Sequence, residues 1–192
     1  MTGCIVILNG VPRSGKSTLA RAIQATVPGK WINWGVDAFN ATLPETLLPG
    51  IGLRPGGERP ELETALPALF SAYFAALLAF TDKGFDVVAD LGLHQNYAAP
   101  FNPWAILDTA IGNAPVLRVG VDCPIETIMA RRNADPRGGF YAAGPGVPAP
   151  VQRWQDAVHT GITYDLRLDM GAMTAPEGAA LVGHALRAMP GR

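Results

Sequence analysis

Five short, mostly apolar runs punctuate the chain, and helix-compatible stretches separate them. Residues 4–8 (C-I-V-I-L) are unbroken and rich in β-branched side chains, the pattern of a strand buried on both faces. Residues 16–26 read as a helix that Pro28 and Gly29 stop. Further strands are expected at 31–36, 86–90, 116–121 and 164–169. Further helices are expected at 61–81, 104–111, 124–132, 151–158 and 176–188. Lys83-Gly84 supplies the stop of the long one, and Pro124 opens another at its first position. Strands that alternate with helices predict an α/β fold in three layers: a five-stranded parallel sheet with helices on both faces. No internal repeat or linker interrupts the alternation, so residues 1–192 are expected to form one domain.

Three stretches fall outside this rhythm. Residues 40–60 are loop-rich, with Pro44, Pro49, Pro55 and the pair Gly56-Gly57. Residues 92–103 are polar and aromatic, and 133–150 are rich in Gly and Pro. Long irregular segments are usually functional. The last, taken from about 131 to 150, is expected to act as a mobile lid. In an open parallel sheet, ligands sit outside the carboxyl ends of the strands. Asn9 and Gly10, Asp37, Asp90 and Asp122 are all expected there.

The first of these loops carries the strongest motif. Gly10, Val11, Pro12, Arg13, Ser14, Gly15, Lys16 and Ser17 fit G-x-x-x-x-G-K-[ST], after a strand and before a helix. This order suits a phosphate cradle: loop N–H groups and the helix N-terminus point at the anion. Together with Thr18 these residues are expected to bind a nucleotide. Lys16 is expected to reach the β- and γ-phosphates, and the Ser17 hydroxyl to bind Mg²⁺.

Composition narrows the setting. The chain has 192 residues, 48% hydrophobic and 16% charged, with a net charge of −1, which suits a globular domain rather than a disordered one. No overall basic balance points to nucleic acid or membrane, so neither is expected as a partner. The most apolar long stretch, residues 65–80, is broken by Pro67 and Ser71 and is shorter than the roughly 20 residues that span a bilayer. Cys4 and Cys123 lie on expected strands without metal-type spacing and read as buried thiols. A cytoplasmic location, where ATP and Mg²⁺ are available, is the expectation.

Around the cradle, carboxylates and arginines suggest group transfer. Asp37 is the candidate general base for an acceptor hydroxyl, with helix capping as the structural alternative. Asp90 is the candidate Mg²⁺ partner, held through water. Asp122 reads as a helix cap. Arg131, Arg132 and Arg137 precede or enter the lid, where a guanidinium could cover the transferred group. Arg13 lies inside the loop and could touch phosphate. His94 could line an acceptor pocket, while His159 and His184 read as surface or packing residues. Trp34, Phe39, Tyr97, Phe101, Trp104, Phe140 and Tyr141 fall near the loops above the sheet and could enclose an aromatic substrate.

The chain resembles a known family. V-I-L-N-G-x-x-x-S-G-K-S, W-G-V-D at 34–37, V-V-A-D at 87–90 and V-H-T-G-I-T-Y-D at 158–165 together are similar to the chloramphenicol phosphotransferases. The resemblance implies a P-loop kinase fold and transfer of the ATP γ-phosphate to the primary hydroxyl of chloramphenicol, which inactivates the antibiotic. It implies Asp37 as the base, Lys16 and Ser17 as the P-loop pair, Asp90 as the strand-three carboxylate, and Arg131 and Arg137 as lid arginines. The departures are the loop sequence V-P-R-S, Leu91 where the family resembles a second Asp, the lid arginine spacing, and residues 42–60. They cluster on the acceptor side. Two other readings fit the same residues: a kinase for another small-molecule hydroxyl, and a nucleotide-binding regulatory protein without acceptor chemistry.

Overall fold

The computed structural model describes residues 2–55, 57, 59–135 and 146–189. In chain order its elements are β1 (Ile5–Asn9), α1 (Lys16–Thr26), β2 (Trp31–Asn33), α2 (Val36–Asn40), α3 (Leu66–Asp82), β3 (Asp86–Leu91) and α4 (Pro103–Ile111). Then follow β4 (Val116–Asp122), α5 (Ile125–Ala134), α6 (Ala149–Ala157), β5 (Leu166–Asp169) and α7 (Ala175–Ala188). The five strands form one parallel sheet in the order β2-β3-β1-β4-β5, as the alternation of elements predicts.

The layers follow from the two-residue period of the strands. Val6 and Leu8 of β1, with Cys4 just before it, face one way, onto Leu19, Ala20 and Ile23 of α1 and Ala179, Val182 and Leu186 of α7. Ile5 and Ile7 face the other way, onto Phe70, Tyr73, Phe74 and Leu77 of α3 and Leu107 and Ile111 of α4. Each large apolar side chain buried in this way contributes about 1.5–3 kcal/mol. The same parity governs β3. Val87, Ala89 and Leu91 join the α3 side, whereas Val88 joins the α1 side. Asp90 shares the Val88 face and therefore projects towards α1, where the phosphate-type loop ends. Asn9 shares the Ile5–Ile7 face and projects the opposite way.

Several boundaries differ from expectation. β2 stops at Asn33, although Trp34 N still donates to Val88 O at 2.9 Å. The chain then turns into α2, so Asp37 lies in the first turn of a short helix instead of at a strand tip. The helix expected over 61–81 splits into a 3₁₀ segment, Pro60–Ala65, and α3. Pro67 has no N–H, so it fits the first turn of α3 but not the interior of a longer α-helix. The combined stretch Pro60–Asp82 spans 23 residues and contains an 18-residue window of mean hydropathy 1.6, long and apolar enough to cross a membrane by length and composition. Its apolarity is used here on the sheet.

Candidate active site

The loop between β1 and α1 is shaped by three backbone demands. Gly15 adopts φ +105°, in the left-handed half of the map that side chains rarely adopt. A Cβ on Gly10 would lie 2.4 Å from the carbonyl oxygen of Val121 on β4, so only glycine fits that approach. Arg13 is the one non-glycine residue with positive φ (70°) among the described residues. The surroundings hold it there: Arg131 Nη1 donates to Arg13 O at 3.2 Å, while the Arg13 guanidinium donates to Asp135 O at 2.8 Å and to Asp135 Oδ2 at 3.3 Å. The loop closes with Ser14 N donating to Val11 O at 3.2 Å. The N–H groups at the start of α1 have no partner within that helix, and they face the end of the sheet where anions bind.

Lys16 is buried beneath this loop. Its Nζ donates to Val11 O at 2.7 Å. Burial pulls the ammonium down from 10.5 to about 8, against the upward pull of the Asp90 and Asp37 carboxylates. Both candidate carboxylates therefore act on the same ammonium. Asp37 is exposed on α2, and Asp90 is buried.

Ser17 Oγ donates to Asp90 Oδ2 at 2.5 Å. This pair is the consequence of strand parity: the β3 face that carries Val88 delivers Asp90 to the first turn of α1. Gly35 completes the arrangement. A Cβ there would lie 1.8 Å from Asp90 Oδ1, although its backbone (φ −79°, ψ 168°) suits any residue. The clash is with a carboxylate and not with the backbone map. Gly35→Ala is thus expected to displace Asp90 or swing α2 away. Turnover should fall by at least about tenfold with the sheet retained, since misplacing a catalytic group by 1 Å can cost about 100-fold. Steady-state kinetics beside far-ultraviolet circular dichroism would check this, and wild-type turnover would refute it.

A hydroxyl and one carboxylate suit a hard cation that keeps most of its waters, as Mg²⁺ does beside nucleotide phosphates. Among the described residues no cluster of three or more His, Cys, Asp or Glu side chains that could hold a metal ion exists.

The structure separates the expected arginines. Arg131 was expected over the transferred group. Its guanidinium lies at the loop, with Nη1 3.5 Å from where a Cβ on Gly15 would stand, and it donates to Arg13 O, to Met170 O (2.7 Å) and to Cys123 Sγ (3.4 Å), which braces the loop. Burial pushes the Cys123 thiol up, and the neighbouring Arg131 offsets part of that rise. Arg137, Phe140 and Tyr141 lie outside the described residues, as do all of residues 136–145 in the segment expected to form a lid. Asp122 is not a helix cap: Pro124 occupies that position on α5. The Asp122 carboxylate accepts both Nε and Nη2 of Arg167 and lies 3.4 Å from His159 Nε2.

The segment 158–165 also has a structural explanation. Tyr164 Oη accepts from Asn9 Nδ2 at 2.8 Å and lies 2.9 Å from His159 Nδ1. Asn9 Nδ2 also donates to Leu93 O (3.2 Å) and Val158 O (3.0 Å), and Asn9 Oδ1 accepts from Leu93 N (2.6 Å). Asp165 Oδ2 accepts from Arg118 N at 2.7 Å. The motif thus fastens the chain after α6 to the residue just before the loop glycine. Burial pushes the Tyr164 phenol up to about 12, so it stays protonated. Tyr164→Phe is expected to cost about 1–2 kcal/mol by loss of these bonds. That corresponds to a melting-temperature fall of about 2–8 °C, readable by calorimetry.

Most of the aromatics expected around a substrate serve packing. Trp34 meets Phe80 edge-on at 5.8 Å, Phe39 meets Tyr73 at 5.3 Å, and Tyr97 stacks on Phe101 at 4.4 Å. His94 is buried, with Nε2 3.2 Å from Leu53 O, and burial lowers its imidazole to about 4, so it is neutral at pH 7. His94 meets the indole of Trp154 edge-on at 5.9 Å. Trp154, which the sequence reading did not single out, packs its ring 2.8 Å from where a Cβ on Gly92 would stand. It lines a cavity next to the loop together with Val11, Arg13, Arg54, Ile128 and Arg132.

A central-strand glycine loop, a buried lysine under it, and a Ser–Asp pair at the first helix define a P-loop kinase. The match to known proteins agrees. The family model "Chloramphenicol phosphotransferase-like protein" matches residues 3–187, and the chain belongs to that family. It is an ATP-dependent small-molecule phosphotransferase by class. No curated protein matches it in sequence. Among solved structures, an unliganded sugar kinase from Janibacter sp. HTCC2649 superposes with TM-score 0.63 at 18% identity, covering 99% of this chain and 97% of that one. An APS kinase of Mycobacterium tuberculosis in complex with AMPPNP and APS gives 0.63 at 16%, with 97% and 99% covered. Shikimate kinase from Acinetobacter baumannii in complex with shikimate gives 0.61 at 13%, with 100% and 97% covered. These likenesses are of fold.

Proposed function

We propose that the chain moves the γ-phosphate of ATP to a hydroxyl of a small organic molecule, with Asp37 as general base. The family description makes chloramphenicol the first acceptor to test. The observation that supports the reading is the buried Lys16 held to Val11 O beneath the loop beside the Ser17–Asp90 pair, with the Asp37 carboxylate near enough to favour the charged ammonium. Asp90 is already engaged with Ser17, whereas Asp37 is exposed and available to an incoming hydroxyl. Asp37 takes the hydroxyl proton as the new O–P bond forms. The bridging P–O bond breaks, and ADP leaves with its electron pair. The loop N–H groups and Lys16 hold the phosphates in line and stabilise the charge that develops on them. Ser17 and Asp90 would hold Mg²⁺, which supplies charge neutralisation when bound. Arg131 acts at one remove, by fixing the carbonyl of Arg13.

The test is an ATP-dependent mass-shift assay on chloramphenicol beside other hydroxylated compounds. A phosphorylated chloramphenicol supports the full reading. Products on other acceptors alone would remove chloramphenicol and keep the kinase. ATP binding with no product on any hydroxyl would favour a nucleotide-binding regulatory protein.

A further inference from the structure

Asp37 sits on an element that does not hold itself in place. α2 has five residues, and isolated helices shorter than about 12–15 residues are marginal in water. Among the described residues no side chain caps its N-terminus, and none of its own residues is buried. Its position is set instead by the residue before Gly35. Trp34 has both backbone polar groups engaged: its N–H donates to Val88 O of β3 at 2.9 Å, and its carbonyl accepts from the Tyr73 hydroxyl of α3. Gly35 O then accepts from Ala38 N at 3.1 Å and from Phe39 N at 3.3 Å, which starts the helix. The ring of Tyr73 meets the ring of Phe39 edge-on at 5.3 Å. One buried side chain thus grips the chain on both sides of Asp37, by its hydroxyl at position 34 and by its ring at position 39.

Packing alone does not call for this hydroxyl. Phe70, Phe74 and Leu77 belong to the same buried cluster of α3, and a phenylalanine at 73 would continue it. Tyr73 is fully buried, so its hydroxyl loses hydration that the bond to Trp34 O must offset. Burial, with the Asp90 carboxylate adding to it, pushes the phenol well above its ordinary range, so it stays protonated and remains a donor. The same contacts relate Asp37 to the phosphate side. A Cβ on Gly35 would lie 1.8 Å from Asp90 Oδ1, and Asp90 accepts from Ser17. Holding Trp34 therefore fixes the separation between the base on α2 and the Ser17–Asp90 pair at the first turn of α1.

We propose that Tyr73 is a positioning residue for phosphoryl transfer: out of reach of nucleotide and acceptor, it places Asp37 for the incoming hydroxyl by holding the turn at Trp34 and Gly35. The inference rests on the reading of Asp37 as general base, and it deepens that reading. A base has to come within about 2.6–3.2 Å of the oxygen whose proton it takes, and a misplacement of 1 Å can cost about 100-fold in rate. Freeing α2 should therefore lower turnover and leave the nucleotide site as it is.

Tyr73→Phe keeps the ring and removes the hydroxyl, and two readouts follow it in the full chain. Amide hydrogen exchange reports on α2 itself. The amides of Ala38, Phe39 and Ala41 should exchange about tenfold faster, the loss of roughly one hydrogen bond, and by a larger factor than those of α1 and α7. Turnover is read as ADP release from ATP and Mg²⁺, with chloramphenicol as acceptor and with water alone. In Tyr73→Phe kcat should fall at least about tenfold while KM for ATP stays within a few-fold. In an Asp37→Asn background the same substitution should change kcat by less than about twofold, because residues that act as a unit are not additive. A merely structural role would lower both backgrounds by the same factor. Phe39→Leu keeps the hydroxyl bond and loosens only the ring contact. It should lower kcat by a smaller factor, again only where Asp37 is present, and it carries the test should Tyr73→Phe fail to fold. Unaltered exchange in α2, wild-type kcat, or equal losses in both backgrounds overturns the proposal. A slow Asp37→Asn beside a Tyr73→Phe of wild-type rate overturns the proposal and keeps the base. Wild-type rates in Asp37→Asn itself overturn the base reading and the proposal with it.

Discussion

Replacing Asp37 by asparagine is expected to lower kcat by about 10²–10⁴-fold, the usual contribution of a general base. Affinity for AMPPNP should stay within a few-fold. Asparagine keeps the size of the side chain and its hydrogen bonding but cannot take the acceptor proton. The side chain is exposed on the first turn of a five-residue helix, so the change should leave the fold intact. A second readout comes from Lys16. The Asp37 carboxylate raises the affinity of that ammonium for its proton, so its removal should move the lysine transition to lower pH. Nucleotide binding in the variant should therefore begin to weaken at a lower pH than in the wild type. If kcat held at the wild-type value, the base assignment would be wrong. If kcat fell while the pH at which binding weakens stayed put, Asp37 would lie too far from the loop to act as described.

Much of this arrangement is legible in the residues themselves. Gly10, Gly15, Lys16 and Ser17 carry the loop because their types and spacing encode a strand, a tight turn and a helix start. The strand alternation is enough to send Asp90 towards α1. The remainder depends on contacts between distant positions. Gly35 reads as an ordinary turn residue until Asp90 is seen against it. Arg131 reads as a lid residue because it ends a helix ahead of a Gly/Pro-rich segment. Its carbonyl partners come from residues 13 and 170, which no local pattern connects. Asp122 follows the same logic, since its partner Arg167 lies 45 residues away on β5. Tyr164 and Asn9 sit 155 positions apart, and the sheet order brings them together. Aromatics mislead for a related reason. Their placement near loops is visible in sequence, but the face each ring presents is set by helices on the far side of the sheet.

Replacing Lys16 by methionine should raise the stability of the free protein while weakening its grip on nucleotide. Holding the ammonium at about 8 instead of 10.5 costs the folded state on the order of 3 kcal/mol near neutral pH. Methionine removes that cost but forfeits the bond from Nζ to Val11 O, worth about 1 kcal/mol. The net of roughly 2 kcal/mol corresponds to a melting temperature about 4–8 °C higher for a chain of this size. The sign with pH follows from the direction of the shift. The folded state gives up its proton more readily than the unfolded chain, so the penalty is fully present below about pH 8. It is relieved as pH rises from about 8 towards 10.5, and the stability gap between variant and wild type should close across that window. Nucleotide binding behaves oppositely. The triphosphate needs the charged lysine, so wild-type affinity for AMPPNP should be flat with respect to this group below pH 8. Above pH 8 it should weaken with uptake of a proton, measurable by calorimetry in buffers of different ionisation enthalpy. In Lys16→Met the affinity should be about 10–100-fold weaker at pH 7, and this proton uptake should vanish. A variant that is less stable than wild type, or one that retains the same proton uptake, would show that the buried ammonium is not the group held in tension by the loop.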